Sequence, residues 1–149
     1  MSVLDRFYGA FVARDSSTMA ACYADDATFN DPAFGDLNAA EVRAMWKMLV
    51  GRSADLRVRY KVLEEDERSG VCEWHAHYTF TSTGRKVHNI IRSEFVLRDG
   101  SIVQQRDHFD FWRWSRQALG LTGLLLGWSP MVRNKVQRTA RAALERSMR

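Results

Sequence analysis

Hydrophobic residues recur at helical spacing in three segments near the start of the chain. The first follows the capping pattern Ser2-Val-Leu-Asp5, the second follows Asp15, and the third follows Asn38-Ala-Ala-Glu41. In each segment the apolar residues fall three or four positions apart, so they share one side of a helix. A short apolar strand that ends at Asp31 lies between the second and third segments. The pattern therefore predicts three N-terminal helices and one short strand.

From Leu56 onward the hydrophobic period changes to two, which is typical of strands with one face on a core. The pattern predicts further strands over Val71–Thr81, Val87–Leu97 and Ile102–Trp114. Asp99-Gly100, between the last two, is a strong hairpin signal. Helices followed by long strands joined by hairpins predict an α+β fold with a mainly antiparallel sheet.

The strand Val71–Thr81 has two faces of different chemistry. The apolar face carries Cys72, Trp74, Ala76, Tyr78 and Phe80, and the polar face carries Glu73, His75, His77 and Thr79. In an ordinary half-buried sheet the apolar face packs on the core and the polar face is solvated. Alternatively, the polar face lines a cavity and the apolar face packs on another subunit.

The last 35 residues differ from the rest in hydrophobicity and charge. Ala118–Trp128 is apolar and spaced by glycines, and Ser129-Pro130 can start an amphipathic helix. From Arg113 onward the chain has eight Lys or Arg and one Glu, a net charge of +7, whereas the whole chain carries +4. The basic character therefore belongs to the tail and gives no argument for a nucleic-acid-binding body. We predict a pocket domain over residues 1–114 and a tail over 115–149.

The tail has two interpretations. An amphipathic helix usually packs on the core of its own domain, and we favour this arrangement for residues 115–149. An apolar stretch beside a basic helix is also the kind of segment that anionic lipid attracts, which predicts weak membrane-surface contact.

Composition limits the class of protein. The chain has 149 residues, 46% of them hydrophobic, which suits one domain with its own core. The start of the chain lacks the apolar run of a secretory signal, since Asp5 interrupts it. Cys22 and Cys72 suit reduced thiols better than a disulfide framework. We therefore expect a cytoplasmic protein.

Two strings carry a resemblance to a known superfamily. They are Ala24-Asp-Asp-Ala-Thr-Phe-Asn-Asp31-Pro32 and Gly100-Ser-Ile-Val-Gln-Gln-Arg-Asp107-His-Phe-Asp110. They resemble stretches of the nuclear transport factor 2-like superfamily, which includes ketosteroid isomerases, limonene epoxide hydrolases and SnoaL-like polyketide cyclases. The resemblance implies a cone-shaped, curved, mainly antiparallel sheet packed on three N-terminal helices around a pocket. The C-terminal helix predicted from Ser129-Pro130 is an addition to that fold.

The same resemblance implies a partly retained catalytic site. Asp31 matches the general base of the isomerases, but Phe7 and Ser93 stand where their two oxyanion donors are. Asp107 matches an epoxide hydrolase carboxylate, but His75-Ala-His77 replaces the Arg-x-Asp pair. Neither mechanism transfers whole, because each lacks groups that its chemistry needs.

Combining the resemblance with the period of two predicts one inward-facing set of residues. The catalytic candidates are Asp31, Asp107, His75 and His77, and the pocket-lining candidates are Phe29, Trp46, Glu73, Asn89, Ser93, Phe109 and Phe111. Carboxyl and imidazole groups that face one pocket suit general acid–base catalysis. This set predicts isomerase, cyclase, hydratase or hydrolase chemistry on a small, largely apolar molecule. The alternative is a non-catalytic ligand-binding or interaction module of the same fold.

Other ligands and partners follow from the same residues. A His-x-His face with a carboxylate can hold zinc or iron, but no further ligand has motif spacing, so we expect no metal and no cofactor. If Trp74, Tyr78, Phe80 and Trp112 face outward, they form an exposed apolar patch large enough to predict a homodimer through the outer sheet face.

Overall fold

Side-chain caps fix where the first three helices begin. The structure is a computed structural model that describes residues 2–149. The Ser2 hydroxyl accepts a hydrogen bond from the Asp5 backbone at 3.1 Å, and Asn38 and Glu41 form a complete capping box. Each cap satisfies a backbone N–H that the helix itself leaves free. The helices are α1 (Val3–Val12), α2 (Ser16–Ala21) and α3 (Ala39–Arg52).

Six strands form one curved, open sheet. They are β1 (Tyr23–Asp31), β2 (Gly35–Asn38), β3 (Arg57–Glu65), β4 (Ser69–Phe80), β5 (Arg85–Arg98) and β6 (Ser101–His108). Their order across the sheet is β2-β1-β6-β5-β4-β3. β1 and β6 run parallel, and the other neighbours are antiparallel. The predicted α+β class with a mainly antiparallel sheet is confirmed.

Aromatic rings fill the space between the sheet and the N-terminal helices. Phe11 of α1 lies 5.0 Å from Trp46 of α3 and 5.3 Å from Trp74 of β4, measured between ring centroids. Phe7 and Tyr8 are fully buried in the same cluster. Edge-to-face and tilted ring contacts of this kind stabilise a core beyond the area they bury.

The predicted last strand is wrong after His108. β6 ends there, and α4 (Phe111–Leu119) begins three residues later. Asp110 caps this helix by accepting a hydrogen bond from the Arg113 backbone at 3.0 Å. Phe111-Trp-Arg-Trp114 is a short segment rich in large apolar residues. Over so few positions, a helix and a strand give similar hydrophobic patterns. Phe111 therefore lies in a helix and not on the inner face of β6.

Two more helices complete the chain: α5 (Leu121–Leu126) and α6 (Pro130–Met148). The Ser129 cap and Pro130 at the first turn of α6 appear as predicted. α6 lies against α3 and the β1–β2 turn, where Arg141 donates to the carbonyl oxygens of Phe34 at 3.0 Å and Asp36 at 2.8 Å. Among residues 2–149, no helix has both the length and the apolar composition that crossing a bilayer requires.

Candidate acid–base site

Asp107 lies on the inner face of β6 with 4% of its surface exposed. Its Oδ1 accepts hydrogen bonds from the Ser93 hydroxyl at 2.5 Å and from the Gln105 amide nitrogen at 2.9 Å. Burial raises the pKa of this carboxyl to about 7, and repulsion from Asp31 adds to the rise, although the two hydrogen bonds oppose it. The group therefore changes charge near neutral pH.

A buried chain of hydrogen bonds extends from this carboxyl in two directions. On one side the Trp74 indole donates to the Ser93 hydroxyl at 2.8 Å. On the other side the Tyr23 hydroxyl donates to Gln105 Oε1 at 2.5 Å and accepts from the Trp46 indole at 2.8 Å. The chain fixes the orientation of each member, because every donor has one nearby acceptor.

The Tyr8 hydroxyl is the exception in this buried region. It lies close to the Ser93 hydroxyl and the Cys72 thiol and is shielded from solvent, but neither contact has the geometry of a hydrogen bond. Burial first, and then the charge of Asp107, raise the pKa of the phenol well above its usual value. A buried hydroxyl without a partner is uncommon in folded proteins, and it leaves one donor free near the carboxyl.

Asp31 ends β1 and turns back on its own chain. Its Oδ1 accepts hydrogen bonds from the backbone nitrogens of Ala33 at 2.9 Å and Phe34 at 2.5 Å. This is an Asx-type turn, in which the carboxylate holds the corner that follows Pro32. Burial nevertheless raises the pKa of Asp31 to about 6, against those hydrogen bonds. Asp31 is thus both a structural cap and a second acidic group close enough to influence Asp107.

Several predicted lining residues do face the interior. Phe29, Trp46, Asn89 and Ser93 are all buried, and Phe109 is partly buried at the end of the same region. Phe111 is also buried, but it belongs to a second apolar cluster formed by α4 and α6 with Val87.

The prediction that His75, His77 and Glu73 face the interior is wrong. Their neighbours Cys72, Trp74 and Ala76 point into the core, so the sheet turns the histidine face outward. The period of two separates the faces of a strand but does not say which face is inside. The ordinary arrangement, with the apolar face on the core, is the one that β4 adopts.

The outward histidines form a cluster of their own with His88 of β5. The rings of His77 and His88 stack with centroids 4.0 Å apart, and His75 Nδ1 lies 2.8 Å from His88 Nε2. Partial burial, followed by the charges of Arg57 and Arg59, lowers the pKa of His77. The sheet separates this cluster from Asp107.

The residues predicted to form a dimer patch do not share an outer surface. Trp74 is in the core, and the Tyr78 hydroxyl accepts from the Trp114 indole at 2.8 Å. Phe80 packs edge-on against Trp114, and Trp112 lies on α4. These four side chains no longer support a homodimer through the outer sheet face, because α4 covers two of them.

Aromatic side chains pack around the region of Asp107, and two hollows lie elsewhere on the molecule. A hollow of about 480 Å³ runs along α6, and another of about 310 Å³ lies over β1, β2 and β6, where it touches Phe29 and Gln105. Among the described residues, neither hollow is lined by Asp31 or Asp107. In residues 2–149 no group of three or more His, Cys, Asp or Glu side chains is arranged to hold a metal ion.

The sequence prediction missed three members of the buried polar chain, Tyr23, Trp74 and Gln105, and also missed the Tyr8 hydroxyl beside it. Gln105 shares a strand face with Asp107, so the period of two could have identified it. Tyr8 and Phe7 are adjacent on α1 and therefore point in different directions, yet both rings are fully buried. The helix lies deep enough in the cone to bury both adjacent positions.

Comparison with known proteins gives the same fold. No curated protein sequence matches the chain significantly. Among solved structures, a proposed polyketide cyclase from Silicibacter sp. TM1040 is 19% identical, with a TM-score of 0.68 over 78% of this chain and 92% of its own. An LEH-like epoxide hydrolase from M. tuberculosis is 20% identical, with a TM-score of 0.62 over 83% of this chain and 92% of its own.

A third similar structure is a hypothetical protein with a ketosteroid isomerase-like fold from Catenulispora acidiphila, solved with trimethylamine. It is 14% identical, with a TM-score of 0.68 over 86% of this chain and 97% of its own. At these identities the structures establish the fold alone. The model of the SnoaL-like domain matches residues 4–105, which is more than half of the chain. The protein therefore belongs to the SnoaL-like domain family of the nuclear transport factor 2-like superfamily.

Proposed function

We propose that the protein is a cofactor-independent acid–base catalyst of the isomerase, cyclase or hydratase type, and that Asp107 transfers the proton. The observation that carries this proposal is a carboxyl buried among aromatic rings with its pKa raised to about 7. Proton transfer is most efficient when the pKa of the catalytic group lies near the working pH. A strongly perturbed, buried carboxyl is also more common at functional sites than elsewhere.

The hydrogen bonds of Asp107 suit this role. Ser93 and Gln105 both donate to Oδ1, whereas Oδ2 accepts no hydrogen bond from the residues that the structure describes. One oxygen is therefore held in place, and the other remains free to take or give a proton. Asp31 supports the role through repulsion, which helps to keep the Asp107 carboxyl protonated near neutral pH.

The surroundings indicate the substrate class and a donor. Trp46, Trp74 and Phe29 give this region an apolar lining, which favours a small, largely apolar molecule. The free Tyr8 hydroxyl is the group we assign to hydrogen-bond an oxyanion that develops during proton transfer. In this proposal Tyr8 takes the role of the two oxyanion donors of the isomerases, whose positions are occupied here by Phe7 and Ser93.

Substrate entry requires movement, because side chains occupy the interior. The mobile element we propose is the C-terminal helical segment, which is held over the β1–β2 turn by few polar contacts. Arg141 donates to carbonyl oxygens there, and Gln137 donates to the Pro32 carbonyl at 3.1 Å. Opening and closing of such segments limits turnover in many enzymes.

A second candidate is a non-catalytic binding or interaction module. The hydrogen bonds that the acidic groups already have favour it: Asp31 caps its own turn, and Asp107 completes a network with Ser93 and Gln105. In this case the buried polar chain specifies the packing of the core and performs no chemistry.

Proton exchange distinguishes the two candidates without knowledge of the natural substrate. The first probes are cyclic and β,γ-unsaturated ketones in deuterated water, where NMR follows loss of the proton beside the carbonyl. The second probes are terpene-like epoxides, where chromatography follows formation of the diol. We expect the wild type to accelerate at least one reaction, and Asp107→Asn to lower that rate by about a hundredfold or more. His75→Gln is the matched control, because this side chain lies across the sheet and its loss leaves the rate unchanged. Rates equal to buffer with every probe would favour the binding module, whereas an Asp107→Asn variant as fast as the wild type would assign the proton transfer to another group.

A further inference from the structure

The short helix α5 packs with its glycines inward. A β-carbon on Gly123 would lie 1.9 Å from the Ser115 carbonyl oxygen, and one on Gly127 would lie 1.9 Å from the Ser115 hydroxyl. Only glycine fits at such distances, so α5 docks on α4 almost backbone to backbone. Gly123 and Gly127 are four residues apart and thus share one side of the segment.

This docking turns the large apolar side chains of the segment to solvent. Leu121 is 69% exposed, Leu125 is 59% exposed and Trp128 is 72% exposed. We define the leucine patch as Leu121, Leu124, Leu125, Leu126, Trp128 and Met131, all of which are exposed. A contiguous group of exposed large apolar residues usually marks an interaction surface. The glycine contacts prevent α5 from rotating to bury its leucines, so something else has to cover them.

The charged residues that flank the leucine patch along the sequence are all of one sign. The sequence from Phe111 to Leu144 contains six cationic residues and no Asp or Glu. The cations are Arg113, Arg116, Arg133, Lys135, Arg138 and Arg141. The Arg116 guanidinium lies 4.0 Å from the ring centroid of Trp112, next to α5. Two copies of this surface would bring like charges together, which opposes self-association through the patch.

We propose that the leucine patch docks on the surface of an anionic lipid bilayer. Leucines that enter the acyl boundary, with cations beside them to meet the headgroups, form the arrangement by which a protein lies on a membrane without crossing it. Trp128 is the most exposed member of the patch, and the headgroup level is the depth that tryptophan prefers. This inference is independent of the acid–base proposal, because it uses none of the interior residues.

Vesicle co-sedimentation of the full chain tests the proposal. The vesicles are phosphatidylcholine alone or phosphatidylcholine mixed with phosphatidylglycerol, each at low and high salt. We expect binding to the mixed vesicles that weakens in high salt, because exposed charges are screened. Replacing Leu124 and Leu125 together with serine should lower binding by about tenfold to a hundredfold, since both side chains are already about half exposed.

Two further double variants separate charge from hydrophobicity. Lys135→Glu with Arg138→Glu should lower binding to the mixed vesicles by at least about twentyfold, because each cation near an anionic surface contributes about fivefold. Leu63→Ser with Val96→Ser is the matched control, since both residues are apolar, exposed and outside the leucine patch. The control should bind like the wild type.

Three results would overturn the proposal. The first is wild-type sedimentation with mixed vesicles no greater than without vesicles. The second is equal binding by the wild type and the Leu124→Ser, Leu125→Ser variant. The third is a concentration-dependent dimer in sedimentation velocity without lipid that disappears in this variant, since the patch would then be covered by a second copy.

Discussion

Replacing Asp107 with asparagine removes the buried charge and keeps the shape of the side chain. The pKa of this carboxyl rises from 3.8 to about 7 on folding, mainly because of burial. A rise of this size means that the ionised side chain costs the native state about 4 kcal/mol. Asparagine can still accept from Ser93 and Gln105 through Oδ1, but its buried amide nitrogen needs an acceptor, which costs about 1–3 kcal/mol.

The sign of the pH dependence follows from the raised pKa. Below about pH 4 the carboxyl is protonated in both states, so the stability linked to its protonated form is fully present. That stability is lost as the pH rises through about 7, where the native state must hold a charge without solvent. Asp107→Asn should therefore be less stable than the wild type near pH 4 and more stable at pH 8.

Urea unfolding from pH 4 to pH 8 measures this difference. The stability of Asp107→Asn relative to the wild type should increase by about 4 kcal/mol across the range. Asp25→Asn is the control, because the Asp25 side chain is 99% exposed and its ion pair with Arg43 lies at the surface, where such pairs add little stability. A relative stability that stays constant with pH, or one that moves in favour of the wild type as the pH rises, would refute the reasoning.

Three other changes test separate parts of the structure. Tyr8→Phe removes a buried hydroxyl without a partner, so the free energy of unfolding should stay the same or rise by about 1 kcal/mol; a clear loss in urea unfolding would mean that the hydroxyl is bonded. Gly123→Ala should destabilise the docking of α5 by about 1–3 kcal/mol and increase proteolysis there, whereas Gly9→Ala, with no atom near its β-carbon position, should not. The imidazoles of His77 and His88 should titrate below pH 6.5 in NMR, because burial and neighbouring positive groups lower both pKa values. Titration of either ring above 6.5 would contradict this packing.

Local signals in the sequence predicted the fold well. The box formed by Asn38 and Glu41 and the Ser129-Pro130 start of α6 depend on hydrogen bonds between near neighbours, so short motifs identify them. The faces of β5 and β6 were also assigned correctly, which placed Ser93 and Asp107 together across paired strands.

The errors arose where the outcome depends on distant parts of the chain. His75 was placed inside because a cavity was assumed, whereas Trp74 fills that space by donating to a residue on another strand. The environment of the Tyr8 hydroxyl depends on how its ring packs against rings from three strands, and local spacing in the sequence does not show this packing. The sequence showed the regular spacing of the glycines that lie between α4 and α5, but it did not show that the leucines of α5 face solvent.

The parallel pairing of β1 with β6 has a consequence for the order of folding. Phe29 pairs with Gln105, whereas β3 to β6 form a meander whose neighbouring strands are joined by short turns. Closing a long loop costs more entropy than closing a hairpin, so we expect the meander to form first and the β1–β2 edge to join late. Asp31 and Asp107 lie on β1 and β6 respectively, so the two acidic groups meet only in that last step. A partly folded chain would then have most of its sheet and no site, and pulsed hydrogen exchange should detect late protection of β1.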